Sequence, residues 1–272
     1  MSAEAKVPRS YLFVPADRPE RYAKALASGA DAVIVDLEDA VAASAKDRAR
    51  AALGDWLAGG GRGIVVRIND AASAAFAADL ELVAHAGVIG VVLAKAERAD
   101  NLARVRAAAP TAALLPLIET AAGINRVREI AAAPGVQRLV FGSIDLQLDL
   151  GIEEGSDGSE LLAFRSALVL ASRLAGLDAP VDGVSTAIDD VAALDADTRR
   201  ARRLGFGAKL CIHPRQVATV HAAFAPSADE LAWAERVVAA AAATSDGAVA
   251  VDGRMVDRPV LLRAQAMLAR KP

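Results

Sequence analysis

Cysteine and aromatic residues are scarce in this chain, and positive charge is not in excess. A single cysteine, Cys211, among 272 residues excludes an internal disulfide and is typical of a reducing compartment. It lies in the apolar run AKLCI, which indicates core packing. With 4% aromatic residues and a formal net charge of −3, the chain has little of the stacking and basic surface that nucleic-acid binding needs. We therefore expect no nucleic-acid partner.

Long apolar runs are missing as well. The longest, near Val237, is mostly alanine, and none approaches the roughly 18 residues that a membrane helix requires. The N-terminal segment MSAEAKVPRS has no apolar stretch of the kind found in secretory signal peptides. No histidine and cysteine cluster has zinc spacing, and no Walker A or dinucleotide-binding glycine motif occurs. These features predict a cytoplasmic protein with no membrane partner.

Apolar residues make up 54% of the chain, and they occur as short runs that alternate with helical patterns. The predicted strands are Tyr11–Pro15, Ala32–Leu37, Gly63–Ile68, Val88–Leu93, Ala113–Ile118, Val136–Phe141, Pro180–Val184 and Ala208–Ile212. Eight strand–helix units in about 220 residues predict an α/β fold of the (β/α)₈ type, the TIM barrel, whose usual size is about 250 residues. A doubly wound open sheet is the alternative.

The pattern changes after Pro226. A helix over Ala228–Ala243, a turn at TSDG, a hairpin over AVAVDGRMVD and a last helix over Pro259–Ala269 are predicted. We therefore divide the chain into a barrel domain, residues 1–225, and a C-terminal extension, residues 226–272, which we expect to have no core of its own.

Two acids follow consecutive predicted strands at matching points. Glu119 follows Ala113–Ile118 and Asp145 follows Val136–Phe141, with a helical pattern between them. A right-handed crossover places two such strands side by side and parallel, so that their C-terminal ends meet. Converging carboxylates need a cation, and hard oxygen ligands suit Mg²⁺. The sequence thus predicts a metal site, the alternative being that Glu119 caps a helix and Asp145 starts a turn.

Further charged and polar residues fall at the same ends of the strands, where the active sites of such barrels lie. They are Asp36, Glu38, Asp39, Arg67, Asn69, Lys95 and His213. The glycine-rich stretch Gly59–Gly63 precedes a strand, so we expect it at the opposite rim as a flexible turn, not as a phosphate loop.

Seven motifs occur in order along the chain: SYLFVPADRPERYAKAL, AVIVDLEDAV, VVRIN, LPLIETAAG, FGSIDL, GAKLCIHP and VDGRMVDRP. Together they resemble the citrate lyase β-subunit-like family, which includes malyl-CoA lyases and belongs to the HpcH/HpaI aldolase superfamily. The resemblance covers Ser10 to Ala269. It implies a barrel that uses Mg²⁺, or Mn²⁺, to make or break a carbon–carbon bond between a 2-oxo acid and an acyl thioester, usually of CoA. It also implies a homotrimer or hexamer.

The resemblance implies roles for individual residues. Glu119 of LIET and Asp145 of SIDL would hold the metal. Arg67 of VVRIN would be catalytic and would bind the oxygens of the substrate, together with Glu119. A salt bridge from Arg67 to Asp36 or Glu38 is the alternative for that arginine.

Two further groups of residues are assigned in the same way. Phe13, Arg18 and Lys24 of LFVPADRPERYAK would contact the CoA part of the substrate. Asp257 of GRMVD would be a catalytic acid/base on the C-terminal extension, acting as a lid and oligomer contact over the rim of a neighbouring subunit. The alternatives are that the two cations form a solvated helix face and that Asp257 only ends a hairpin strand.

The chain departs from the family pattern at Ile144, where many members have an acid directly before the metal aspartate. Substrate choice could differ for that reason. We expect a stand-alone lyase for a CoA ester such as malyl-, citramalyl- or citryl-CoA. The alternatives are the β subunit of a multi-subunit citrate lyase acting on a carrier-protein thioester, a CoA-independent 2-oxo acid aldolase, and a non-catalytic binding barrel.

Overall fold

The computed structural model of the chain describes residues 7–155, 157–243 and 248–269. Most of the N-terminal segment discussed above, and the turn expected at 244–247, lie outside the described residues. The chain forms two compact units, which divide between His221 and Ala222. None of the helices in the described part of the chain combines the length and apolar character that crossing a bilayer requires.

In the first unit, the described residues form a closed barrel of eight parallel strands in chain order, which confirms the predicted (β/α)₈ fold. The strands are β1 Ser10–Pro15, β2 Ala32–Asp36, β3 Ile64–Ile68, β4 Val88–Leu93, β5 Ala113–Ile118, β6 Val140–Phe141, β7 Val181–Asp182 and β8 Ala208–Cys211.

Helices follow the strands around the outside. They are α1 Tyr22–Leu26, α2 Lys46–Ala58, α3 Phe76–Val83, α4 Ala99–Ala108, α5 Ala121–Asn125, α6 Val127–Ala131, α7 Ser143–Leu150, α8 Leu162–Leu174, α9 Val191–Leu204 and α10 Arg215–Phe224. Local sequence sets their ends. The side chain of Asp190 accepts a hydrogen bond from the N–H of Ala193 and starts α9, and Gly205, with φ +105°, ends it.

The centre of the barrel is filled by alternate residues of the strands. Its buried members are Tyr11, Ala32, Ile34, Val65, Val92, Leu115, Leu117, Val140, Val181, Ala208 and Leu210. Side chains of a strand alternate between its two faces. Asp36, Arg67 and Glu119 each come two residues after an interior residue, so they continue the inward-facing set to the C-terminal rim.

Two predicted strands are much shorter than expected, whereas the bounds of the other six differ from the prediction by at most one residue. Val136 makes only an isolated bridge to Leu114, and β6 proper covers Val140–Phe141. Arg138 interrupts the apolar run, because its buried guanidinium donates hydrogen bonds to the carbonyl oxygens of Pro8 and Ala179. The expected strand Pro180–Val184 is likewise reduced to β7.

The second unit contains α11 Ala228–Ala242, a hairpin of β9 Val249–Val251 and β10 Arg254–Val256, and α12 Arg258–Leu268. The hairpin turns at Asp252 and Gly253, both with positive φ, as a two-residue turn of this kind requires.

The second unit has a core of its own, so the expectation that it lacks one is wrong. Its buried members are Ala234, Val237, Val251, Val256 and Ala264. The small alanines on α11 and α12 are fully buried, which lets the two helices pack closely. A role of this segment as lid and oligomer contact stays a prediction.

Candidate active site

The guanidinium of Arg67 lies at the C-terminal rim of the barrel and is held from two sides. Its Nε donates to Oδ1 of Asp36 at 2.7 Å and its Nη2 to Oδ2 at 2.5 Å. Its Nη1 lies 3.1 Å from Oε2 of Glu38. This bidentate ion pair results from the strand pairing, because Asp36 on β2 lies directly opposite Arg67 on β3. The alternative salt bridge is thus present, and contact with substrate stays a prediction.

Burial acts to lower the pKa of Arg67, but the hydrogen bond and charge of Asp36, with the charges of Glu38 and Glu119, outweigh it and raise the pKa. The arginine therefore stays charged. Its guanidinium also lies over the ring of Phe13, 4.8 Å from the ring centre.

Lys95 and Glu38 form a second ion pair at this rim. The Nζ of Lys95 lies 2.7 Å from Oε1 of Glu38, whose side chain is only 5% exposed. Burial acts to raise the pKa of Glu38, but the charge of Arg67 and the hydrogen bond from Lys95 outweigh it and lower the pKa. Burial acts to lower the pKa of Lys95, but the hydrogen bond to Glu38 and the charge of Glu38 outweigh it and raise the pKa. Glu38 therefore remains an anion with a cation on each oxygen.

Glu119 is buried at the same rim, at 1% exposure. Its Oε1 accepts the main-chain N–H of Lys95 at 2.8 Å. Burial is the largest cause that raises the pKa of Glu119 well above its ordinary value. The N–H of Lys95 acts in the opposite direction, whereas the charge and a side-chain hydrogen bond of Asp145 add to the rise. The two acids predicted to converge are thus brought together.

Asp145 reaches Glu119 from the first turn of α7, which begins at Ser143 directly after β6. Gly142, between strand and helix, makes room for this approach. A Cβ at Gly142 would lie 2.4 Å from Oε2 of Glu119 and 2.5 Å from its Cβ. The carboxylate pair therefore depends on glycine at this position.

The pair fits a divalent cation. Two carboxylates that share a buried space repel each other unless a proton or a cation lies between them. Asp39 adds to this excess of negative charge: burial raises its pKa, the charges of Glu38 and Asp145 act in the same direction, and Lys95 and Arg67 oppose them. Among the described residues, no group of three or more His, Cys, Asp or Glu side chains is arranged as a ligand set. Two carboxylates with open positions match the way Mg²⁺ binds, with water and substrate completing its sphere.

The residues predicted for CoA lie in different environments. Phe13 is half-buried beneath Arg67, whereas Arg18 and Lys24 are exposed. The Nη1 of Arg18 lies 3.9 Å from Oε1 of Glu20, at the start of a short 3₁₀ turn, and Lys24 lies in the last turn of α1. Their contact with CoA stays a prediction.

Asp257 belongs to the second unit and caps α12, where its Oδ1 accepts the N–H of Val260 at 3.2 Å. Asp257 therefore has a structural role as a helix cap, in addition to the position at the end of a hairpin strand that the sequence suggested. A catalytic role of Asp257 stays a prediction.

A family model for HpcH/HpaI aldolase/citrate lyase matches residues 9–214. The chain belongs to this family. The citrate lyase subunit beta-like protein of Mycobacterium tuberculosis is 43% identical over 265 residues, which covers 96% of this chain and 94% of that protein. A (3S)-malyl-CoA thioesterase of Cereibacter sphaeroides is 36% identical over 276 residues, which covers 99% of this chain and 96% of that protein. The crystal structure of the M. tuberculosis protein CitE in complex with magnesium, acetoacetate and coenzyme A matches with a TM-score of 0.87 and 41% identity, covering 98% of each chain.

As a member of the HpcH/HpaI aldolase/citrate lyase family, the chain is an enzyme of the lyase type. The sequence placed Asp36, Glu38 and Lys95 at the rim, but it suggested a role only for Asp36 and Glu38, as alternative salt-bridge partners of Arg67, and none for Lys95. The signal that could have identified them is their position at the C-terminal ends of β2 and β4, where active-site residues of such barrels lie. The distances that join Glu38 to Arg67 and to Lys95 come only from the closed barrel.

Proposed function

We propose that this chain is a Mg²⁺-dependent carbon–carbon lyase for a 3-hydroxyacyl-CoA thioester, which it cleaves to a 2-oxo acid and an acyl-CoA, or forms from them. The observation that carries the proposal is the pair of the buried Glu119 and the half-buried Asp145 beside the charged Arg67. The relative crystallised with magnesium, acetoacetate and coenzyme A supports it.

Cleavage of such a thioester is a retro-aldol reaction. The hydroxyl group loses its proton, its oxygen becomes the new carbonyl, and the bond between C2 and C3 breaks. The electron pair of that bond forms the enolate of the acyl thioester, which then takes a proton on carbon. Mg²⁺ bound by Glu119 and Asp145 would supply a Lewis acid for the oxygens of the acid end.

Arg67 is suited to an oxygen on which negative charge develops. A guanidinium has five N–H donors, and the two hydrogen bonds to Asp36 use two of them, while Nη1 forms an ion pair with Glu38. Because those two acids fix the guanidinium in advance, it need not reorganise during the reaction. Solvent has little access to this guanidinium, since the side chain of Arg67 is only 12% exposed.

The enolate carbon requires a separate proton donor, because Glu119 and Asp145 would be occupied as metal ligands. Asp257 is the proposed acid, delivered by the C-terminal segment of a neighbouring subunit in a homotrimer or hexamer. In its protonated form it would give a proton to the carbon, and in the condensation direction its carboxylate would remove one.

Hydrolysis is the second candidate, because a relative at 36% identity is named a (3S)-malyl-CoA thioesterase. In that reaction water attacks the thioester carbonyl, the C–S bond breaks, and the products are free CoA and a hydroxy diacid. The products therefore separate the two functions.

The test is to incubate the purified protein with malyl-, citramalyl- and citryl-CoA and Mg²⁺, and to identify the products by mass spectrometry. We expect acetyl-CoA with glyoxylate, pyruvate or oxaloacetate from at least one of the three esters. Free CoA with the intact hydroxy acid would establish the thioesterase instead. Millimolar free CoA should inhibit, and its failure to do so would favour a carrier-protein substrate or a CoA-independent aldolase.

The metal requirement is tested by EDTA and by Glu119→Gln. The variant keeps the size of the side chain and removes the charge that would bind the cation, so activity should be abolished while the melting temperature is nearly kept. Full activity in EDTA would contradict the metal site.

A further inference from the structure

The main chain at Lys95 adopts a conformation that lysine rarely takes. Its φ is +46°, and Asp252 is the only other non-glycine residue with positive φ in the described part of the chain. Asp252 belongs to a hairpin turn, where such angles are required. Lys95 follows β4 at the C-terminal rim of the barrel. Residues with unfavourable backbone angles cluster at functional sites, so the conformation of Lys95 suggests a role in the active site.

The conformation lets one residue serve two carboxylates. The main-chain N–H of Lys95 donates to Oε1 of Glu119 at 2.8 Å, beyond β5. Its Nζ reaches Oε1 of Glu38, beyond β2, at 2.7 Å. The N–H of Ala94 donates to the carbonyl oxygen of Ile68 on β3, and the N–H of Ala96 donates to that of Leu117 on β5. The backbone on both sides of Lys95 is therefore fixed.

The ammonium group also completes the support of Arg67. Glu38 gives Oε2 to Arg67 and Oε1 to Lys95, so each of its oxygens has a cation. Exposed ion pairs contribute little, but the side chain of Glu38 is only 5% exposed. Without Lys95, one buried oxygen of Glu38 would lack its partner and the carboxylate could turn away from Arg67.

We propose that Lys95 is a positioning residue, which orients Glu119 through its left-handed backbone and Arg67 through Glu38. The inference rests on the proposed function, since it concerns the metal ligand and the arginine of that site. The two effects are separable, because the backbone acts on the metal site and the side chain acts on substrate turnover.

The backbone effect is tested by comparing Lys95→Gly with Lys95→Ala, with Mn²⁺ alone as the probe and its free concentration followed by electron paramagnetic resonance. Both variants lack the ammonium group, but only glycine holds positive φ at no steric cost. We expect Lys95→Ala to bind Mn²⁺ about 10- to 100-fold more weakly than Lys95→Gly, the usual effect of losing a contact that orients a ligand.

The side-chain effect is tested with Lys95→Asn, since asparagine tolerates the left-handed region and keeps the N–H. We expect Mn²⁺ affinity to be kept and kcat/KM to fall about 10- to 100-fold. Lys95→Arg should recover part of kcat/KM by restoring a cation for Glu38. The matched control is Arg98→Met, which removes an exposed cation from the same loop and should behave as the wild type.

Equal Mn²⁺ affinity in Lys95→Gly and Lys95→Ala, or wild-type kcat/KM in Lys95→Asn, would overturn the inference while leaving the proposed function in place. If the wild type itself binds no Mn²⁺, the proposed metal site fails and the inference fails with it. Melting temperatures of all variants show that each is folded.

Discussion

Adding one methyl group at Gly142 should disable the active site without unfolding the barrel. Gly142 has φ −97° and ψ 82°, angles that alanine also adopts, so backbone preference does not require glycine here. The obstacle is Glu119, because the new Cβ would lie 2.4 Å from its Oε2, 2.5 Å from its Cβ and 3.2 Å from its Cδ.

The size of the effect follows from these distances. Carbon atoms in contact are separated by about 3.5–4.0 Å, so Glu119 and Gly142 must move apart by about 1 Å. The flexible end of the side chain cannot absorb this shift alone, since the Cβ of Glu119 is equally close. Overpacking of this kind costs about 1–3 kcal/mol of stability. A misplacement of about 1 Å at reacting groups costs about 10²-fold in rate.

The assay compares kcat/KM, Mn²⁺ affinity and melting temperature of Gly142→Ala with those of Gly54→Ala. Gly54 lies inside α2, where an added Cβ meets only Cδ1 of Leu82 at an ordinary 3.6 Å. That control should gain about 0.5–1 kcal/mol in stability and keep its activity. Wild-type kcat/KM and Mn²⁺ affinity in Gly142→Ala would refute the reasoning, since they would mean that the position of Glu119 is not constrained from β6.

Three further predictions follow. Arg67→Lys keeps the charge but loses the planar fork that Asp36 holds, so kcat should fall roughly 10²-fold; unchanged kinetics would leave Arg67 a purely structural salt bridge. Asp257→Asn should lose about 10²–10⁴-fold in kcat with KM nearly kept. Mixed with inactive Arg67→Ala in reassembled oligomers it should regain activity, and no recovery would mean that Asp257 is not shared between subunits. Burial raises the pKa of the Cys211 thiol from 9.0 to about 12, against the charge of Lys209, so iodoacetamide should leave Cys211 unmodified at pH 9 until the protein is denatured.

The pH dependence of stability follows from the same thiol. A group whose pKa is raised on folding stabilises the native state fully below its unfolded pKa and loses that contribution as pH rises through its folded pKa. The contribution of Cys211 to the free energy of unfolding is therefore lost as the pH rises from about 9 to about 12. The alkaline fall in melting temperature should be shallower in Cys211→Ala, and an identical fall would contradict the assignment.

The sequence by itself determined the barrel and the order of its units. Short apolar runs followed by helical patterns are local features, and they identify strands such as β5, whose bounds Ala113–Ile118 were predicted as they are observed. Local patterning also identified the two acids that follow β5 and β6. It failed at Val136–Phe141, because Arg138 bonds to carbonyl groups that are distant in sequence.

Only the tertiary structure decided how the rim residues combine. Asp36, Arg67 and Glu119 share the inward-facing side of their strands, but sequence spacing does not tell which carboxylate meets which cation. The register of β2 with β3 pairs Asp36 with Arg67, and the left-handed turn at Lys95 links Glu38 to Glu119. The first contact joins neighbouring strands, and the others join the ends of β2, β4 and β5, so they depend on how the strands pair in the barrel and not on any single segment.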